Sequence, residues 1–507
     1  EMVQPNDPAL KKSLPEEVIR KELVLPLKRD QDLLTVALAD PLDLLLMDNL
    51  RKMSGCKIAP VIATKSDLAE AIEDAYGKRD LLKEVVAGTY SKPSRTPVSS
   101  LNQVEILEEG KEAETAEELT AKAGETQVIR LVDLFLLEAV HSRASDIHVE
   151  PYQNRISIRF RIDGVLQPVN PPAIHLMPAI ISRIKILAKM DIAEKRLPQD
   201  GGFTVKIGDR TVDLRVSTIP VVYGEKVVIR LLDKGSLVFD FKDLGMEGAA
   251  LQEMEKGIIS PYGLAFITGP TGSGKSTTLY AVMNRLKSPA KNIVSIEDPV
   301  EYKIDGINQV QAKPPIGLTF AAGLRSFLRQ DPDIMMVGEV RDMETAQICV
   351  QAALTGHLVL STLHTNDSAS AVTRLVDLGI EPFLLAPSLV LIAAQRLVRR
   401  LCPECKEPYE PSSSIHEKVR LPAGQYFKAK GCPTCRTTGY RGRIGLFEVM
   451  GVDDPLREMI IRGAAANEIK EASRRKGMKT LFESGLDKAA AGLTSLEEVF
   501  SVAFAEP

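Results

Sequence analysis

The spacing of apolar and polar positions divides the chain into stretches of different period. Between about Leu14 and Tyr76, short apolar runs such as Leu33 to Ala39 alternate with helix-period stretches, Asp43 to Met53 and Lys65 to Asp74, which predicts a small α/β module. Within it Ala39-Asp40-Pro41 reads as a strand end leading to a capped helix, and Cys56 as a small buried apolar residue. From about Ala87 to Gln127 large apolar residues thin out into Ser91-Lys92-Pro93-Ser94-Arg95-Thr96-Pro97 and the acidic run Glu105 to Glu118, which predicts a flexible linker. A second unit opens with an amphipathic helix, Val128 to Arg143, and then changes to period two. Ile156 to Ile162 alternates, Asp163-Gly164 turns it, and Phe203 to Ile207, Thr211 to Val216 and Lys226 to Leu232 repeat the pattern. The polar face of this sheet carries Arg159, Arg161, Arg215 and Arg230, which suits either a solvated strand face or contacts to phosphate across a domain or subunit boundary.

After Asp233-Lys234-Gly235-Ser236, small polar residues that suit a hinge, apolar runs alternate with helical stretches. Gly263 to Thr268, Asn292 to Asp298, Asp333 to Val340 and His357 to Leu363 read as strands, and Thr277 to Lys287 as a helix, which predicts a parallel α/β sheet. Pro382 to Gln395 is uncharged but shorter than a membrane span, and reads as a buried helix. Pro455 to Phe504 is helical in period, broken at Gly477 and Gly492. The expected division is a docking module (1–86), an acidic linker (87–126), a sheet domain supplying arginines (127–235), an α/β core (236–400), a cysteine-bearing subdomain (401–443) and a helical tail (444–507).

Composition changes this picture little. The 507 residues, 44% of them apolar, suffice for several ordinary cores. With 64 basic against 68 acidic residues the net charge is −4, which gives no global attraction to nucleic acid. The opening Glu1-Met2 shows no charged and apolar leader, and no run is long enough for a transmembrane segment.

The chemistry concentrates at strand ends. Gly269-Pro270-Thr271-Gly272-Ser273-Gly274-Lys275-Ser276 fits GxxxxGK[ST] between a strand and a helix, where glycines let consecutive amides turn around a phosphate and the helix aims its positive end at the same anion. A glycine-rich surface turn is the plainer alternative. In the nucleotide reading Lys275 reaches the terminal phosphates of ATP, Ser276 places its hydroxyl on Mg²⁺, and Thr277 adds a hydroxyl near the α-phosphate. Carboxylates and imidazoles follow at the ends of other strands, where an open α/β sheet places its ligand crevice. Glu339, after Ile334-Met335-Met336-Val337-Gly338, resembles the acid that ends a Walker B strand and is expected to polarise the attacking water. Glu297 and Glu301 are expected to act through water on Mg²⁺, and His357 and His364 are either phosphate sensors or structural residues.

Two Cys-x-x-Cys pairs, Cys402 with Cys405 and Cys432 with Cys435, supply four thiolates from two knuckles. That pattern favours a closed structural Zn²⁺ site, with a redox dithiol as the alternative.

With the P-loop, the acidic box Glu297 to Glu301, the segment Val337 to Arg341, the histidine box Thr355 to His357 through His364 to Asn366, and the tetracysteine in this order, the chain resembles the secretion ATPases. It is similar to the branch that drives type IV pilus extension (PilB type) or type II secretion (GspE type). Ala144 to Pro151, Arg161 to Gly164, Arg196 to Gly201 and the early module extend the likeness over nearly the whole chain, although Gly202 stands where an arginine often follows Gln-Asp-Gly. The resemblance implies a RecA-like P-loop core preceded by a PAS-like α/β sheet domain, assembled as a homohexamer in which Arg215 and Arg230 close over ATP. It further implies that Arg325, Arg329, Arg341 and Arg443 lie near phosphate or a subunit boundary. The expected partners are an inner-membrane platform protein and the pilus or secretion machinery, met by the N-terminal module from the cytoplasmic side. On this reading the chain is an ATP-hydrolysing motor for pilus assembly, with a type II secretion motor, a nucleic-acid translocase and a regulatory nucleotide-binding module as alternatives.

Overall fold

The computed structural model describes the backbone of residues 104–106, nearly all of 122–233, 240–412 and 419–503, and, with breaks, part of the stretch from Leu10 to Ile72. In the first module strands β1 (Leu25–Asp30), β2 (Leu33–Leu38) and β3 (Lys57–Ile62) form a three-stranded sheet with helix α1 (Leu44–Ser54) between β2 and β3. Ile19, Leu34, Val36, Leu38 and Leu50 close its core. The expected cap at Asp40-Pro41 and most of the helix expected over Lys65 to Asp74 lie outside the described residues.

The second domain is a seven-stranded antiparallel sheet in the order β4-β8-β9-β10-β5-β6-β7, made of Val104–Ile106, Gln199–Ile207, Arg210–Val221, Gly224–Asp233, Ala144–Pro151, Ile156–Ile162 and Val165–Val169. Period-two alternation sends Ile147, Val149, Ile158, Phe160, Leu214, Val216, Val227 and Ile229 into one core beneath helices α2 (Lys122–His141) and α3 (Met177–Leu187). The stretch expected to be a flexible linker therefore contributes to this domain at two places. Val104–Ile106 pairs with β8 as an edge strand, and α2 begins at Lys122. A three-residue strand inside an acidic run has too few positions to show a period. The rest of that stretch, and the expected hinge beyond Asp233, lie outside the described residues.

The third domain holds a second seven-stranded sheet, ordered β13-β12-β14-β15-β11-β16-β19. Its strands are Asn308–Gln311, Ile293–Glu297, Ile334–Val337, Leu358–Leu363, Gly263–Thr268, Leu389–Leu401 and Tyr440–Gly451, parallel throughout except for β19. Strands β11, β12, β14 and β15 are buried at every position, as expected of a sheet covered on both faces. Alternate residues of β11 feed two cores: Leu264 and Phe266 one, Ala265 and Ile267 the other. The covering helices are α4 (Gly248–Ile258), α5 (Lys275–Leu286), α6 (Phe320–Phe327), α7 (Met343–Leu354), α8 (Ala369–Asp377) and α9 (Pro382–Ser388).

Two expectations change here. Pro382 to Gln395 is helical only to Ser388. From Leu389 onward it is β16, with Leu389 and Ile392 in one core and Leu391 and Ala393 in the other, a two-sided burial that an apolar run does not distinguish from a buried helix. The cysteine-bearing segment is not a domain in line after the core but an insertion between β16 and β19, and it carries the small hairpin β17 (Glu407–Pro408) and β18 (Phe427–Lys428). Helices α10 (Asp454–Ile461), α11 (Ala466–Arg475), α12 (Leu481–Ala490) and α13 (Leu496–Ala503) complete the chain, with Leu481 and Ala503 packed on Ala394, Val398, Ile444 and Leu446 of the two long strands.

Candidate active site

The P-loop leaves the carboxyl end of β11 and enters α5. At Gly274 φ is 89°, and an added Cβ would stand 2.7 Å from Gln395 Nε2, so both backbone conformation and space require glycine. Gly269, with φ of 148°, is closed in by the Gln395 carbonyl, which a Cβ would approach to 2.5 Å. Gln395 is thus the floor of the loop, and its Oε1 accepts from Thr278 Oγ1 at 2.7 Å. The neighbouring Arg396 donates to the carbonyl and side-chain oxygens of Asn366 at 3.0 and 3.2 Å. Neither residue stands out in the sequence, because their place depends on β16 lying beside β11. A Gln-Arg pair inside an apolar run was the available signal.

Within the loop Lys275 is buried and donates to the carbonyls of Gly269 and Pro270 at 2.8 and 3.1 Å. Burial lowers its pKa, while the charge of Glu339 acts in the opposite direction. Thr271, Gly272 and Ser276 are exposed and Thr277 is half-buried. Ser273 Oγ is buried without a hydrogen-bond partner, a costly state that an anion seated among the loop amides would relieve, so the loop fits a nucleotide phosphate.

Glu339 follows β14. Its carboxylate meets Arg341 Nη2 at 2.5 Å and His364 Nε2 at 3.5 Å. The loop after β15 that carries His364 is joined to the P-loop strand by Thr365, whose amide donates to Thr268 Oγ1 at 2.9 Å. Lys275, Glu339 and His364 therefore share one end of the sheet. His357 does not. It precedes β15, with its carbonyl accepting from the Gly263 amide at 3.0 Å and its Nδ1 lying 3.0 Å from the Ala352 carbonyl. In a parallel sheet that is the edge opposite the P-loop, which favours the structural of the two readings of His357.

Glu297 is not placed as expected. It is buried, and its oxygens accept from Ser295 Oγ at 2.6 Å, from Gln309 Nε2 at 3.1 Å and from the Tyr280 hydroxyl. Saturated in this way, it braces α5 against β12 and is not turned toward water on an ion. Burial, then the Glu297 charge, pushes the Tyr280 hydroxyl above its ordinary range. Glu301 differs, because it is half-buried and bound by Arg215 from the sheet domain. Arg215 Nη1 stands 3.0 Å from Glu301 Oε2, and Nη2 donates to the Val300 carbonyl at 2.8 Å.

The other sheet arginines stay on their own face. Arg230 and Arg161 both pair with Asp146, at 3.2 and 3.7 Å, and Arg159 pairs with Glu150 at 2.6 Å. Arg230 is thus placed on a charged strand face, and Arg215 alone of the four makes the crossing to the acidic box. In the core, Arg325 pairs with Glu344.

The four cysteines of the insertion converge. Cys402, Cys405, Cys432 and Cys435 place all their sulfurs within 4.8 Å of one another, with pairs at 3.6 to 3.8 Å. A tetrahedral ion with metal–sulfur bonds of about 2.3 Å spaces its ligands about 3.8 Å apart, so the donor set fits. Amides of Cys432 and Gly439 donate to Cys435 Sγ at 3.1 Å each. The Cys435 amide is the first cause that brings the Cys432 thiol down to about 7, while burial pushes Cys405 up to about 12. Arg436 ties this insertion to Glu138 of the sheet domain at 2.5 Å, and in β19 the Gly442 amide donates to Asp163 Oδ2 of the same domain at 2.8 Å.

A RecA-like sheet with a P-loop, a neighbouring strand-end glutamate and an arginine delivered from a second domain defines a P-loop ATPase. Residues 121–501 match the family described as type II/IV secretion system protein, and residues 3–81 match the MshEN domain. The chain belongs to the type II/IV secretion system protein family. It is 46% identical over 97% of its length to the type IV pilus assembly ATPase PilB of Myxococcus xanthus, covering 86% of that protein. With the type II secretion system ATPase E of Vibrio cholerae it shares 51% identity over 76% of its length and 77% of the relative's. The PilB of Thermus thermophilus is 44% identical over 98% of the chain, which spans 55% of that longer relative. In fold it is similar to the X-ray structure of the Legionella pneumophila ATPase DotB, with a TM-score of 0.54 at 20% identity over 78% of this chain and 98% of that one. No described helix is long and apolar enough to cross a membrane.

Proposed function

We propose that the chain hydrolyses ATP to move the sheet domain against the core, and that a homohexamer uses this movement to drive type IV pilus assembly through an inner-membrane platform protein on the cytoplasmic side. The observation that carries this reading is the Arg215 contact to Glu301 and the Val300 carbonyl, which couples one domain to the strand-end acids of the other. The P-loop amides and Lys275 hold the phosphates of ATP, and Ser276 holds the Mg²⁺ that neutralises charge on them. Glu339, oriented by Arg341 and by His364, aligns the attacking water. Arg215, with Arg230 beside it on the same sheet, supplies positive charge as the domains close. Zn²⁺ held by Cys402, Cys405, Cys432 and Cys435 fixes the insertion that meets the sheet domain at Glu138.

A type II secretion motor is the second reading, supported by the 51% identity to the Vibrio relative. The test is expression of the chain in one host whose own pilus assembly ATPase has been deleted and in another whose type II secretion ATPase has been deleted, with the Arg215→Ala variant in parallel. Restored piliation by the wild type but not the variant is the expected result. Restored type II export without pili would select the second reading, and restoration of either by Arg215→Ala would remove the coupling role of that arginine.

A further inference from the structure

The loop from His364 to Ser368 is held at both ends. Near its start Thr365 bonds to Thr268, the last residue of the P-loop strand. At its far end it is gripped from β19, a strand with no other part in the site. Glu448, 0% exposed in β19, accepts through Oε1 from the Ser368 amide at 2.9 Å and the Ser368 hydroxyl at 2.5 Å. Through Oε2 it takes the Leu481 amide at the start of α12, at 3.4 Å. Asp367, between the two anchors, pairs with Lys470 of α11 at 3.3 Å and accepts from the Ser370 amide in the first turn of α8 at 2.7 Å.

A carboxylate buried this deeply is costly unless donors meet it. Here they are two amides and a hydroxyl from segments far apart in the sequence, and such groups contribute more to fixing one arrangement than to stability. We propose that Glu448 is a positioning residue for ATP hydrolysis: by holding Ser368 it fixes the loop so that His364 stands beside Glu339, which makes the C-terminal helices part of the catalytic apparatus. The proposal rests on the roles given above to Glu339 and His364.

The test is a double-mutant cycle on the full chain, with turnover read by phosphate release and affinity by a fluorescent ATP analogue. Glu448→Gln and Ser368→Ala are each expected to lower kcat roughly tenfold, the scale of one lost or misaligned hydrogen bond to a charged group, with affinity held within about twofold. In a His364→Ala background neither should lower kcat further. Ser368→Ala leaves the amide contact to Glu448 in place, so it carries the test if Glu448→Gln fails to fold. Losses that add to that of His364→Ala, or affinity that falls in step with kcat, would overturn the proposal alone. Wild-type turnover in His364→Ala would overturn the proposal together with the role of His364.

Discussion

At the scale of single residues, Glu339 and Lys275 separate binding from chemistry. Glu339→Gln is expected to keep nucleotide affinity and to lose about a hundredfold or more in kcat, whereas Lys275→Ala should damage both. A steady-state phosphate-release assay beside equilibrium nucleotide binding checks this, and near wild-type turnover in Glu339→Gln would pass the role to Glu301. The P-loop was legible in the sequence because its function is carried by contiguous spacing. Gln395, Arg396 and Glu448 were not, because each acts across strands whose adjacency no local pattern states. His357 was left open between two readings although a signal existed to choose: a residue that precedes a parallel strand lies at the edge opposite the residues that follow it. Glu448 also sets a pH dependence. Burial raises its folded-state pKa above the ordinary 4.5, opposed by the two Ser368 hydrogen bonds and then by Lys470, with Asp367 raising it further. The folded state then holds a proton that the unfolded chain releases, so this contribution to stability is complete below pH 4.5 and is lost as pH rises through the raised value. Denaturant midpoints measured from pH 4.5 upward should therefore fall more steeply for the wild type than for Glu448→Gln. Parallel profiles would contradict it.

At the scale of elements, period-two alternation gave four strands of the antiparallel sheet, β6, β8, β9 and β10, and apolar runs gave four of the other, β11, β12, β14 and β15. The pattern failed at β16, where one apolar run holds both the end of a helix and the start of a strand, and at β4, which is only three residues long, and it left β5, β7, β13 and β19 unassigned. The cysteine insertion was legible as a ligand set, but its place between two paired strands was not, because pairing of β16 with β19 is a long-range fact. That position makes a further prediction. Removing the metal with a chelator, or substituting Cys432→Ser, should lower the thermal midpoint and unfold the segment between the knuckles, since metal binding contributes directly to folding free energy. Nucleotide affinity should change little, because the ligands lie off the P-loop. A chain with one metal ion by elemental analysis and a reduced midpoint after chelation fits; a metal-free chain with unchanged stability does not.

At the scale of the whole molecule, the sheet domain touches the third domain at two separated places. Arg215 reaches the acidic box, while Glu138 meets the cysteine insertion and Asp163 the start of β19. A domain held at two points can turn about one while the other opens, and the Arg215 side is linked to the P-loop helix through the Glu301 amide, which donates to the Tyr280 hydroxyl at 3.2 Å. ATP should therefore draw the sheet domain onto the core and phosphate release should free it. The central claim is tested most directly by the distance between spectroscopic labels at exposed Val165 of the sheet domain and exposed Leu354 of the core, followed in the assembled protein without nucleotide, with a non-hydrolysable ATP analogue and with ADP. The account predicts a separation that changes with the analogue, relaxes with ADP and loses its response in Arg215→Ala. A separation that ignores nucleotide in the wild type, while ATP is being hydrolysed, would contradict it.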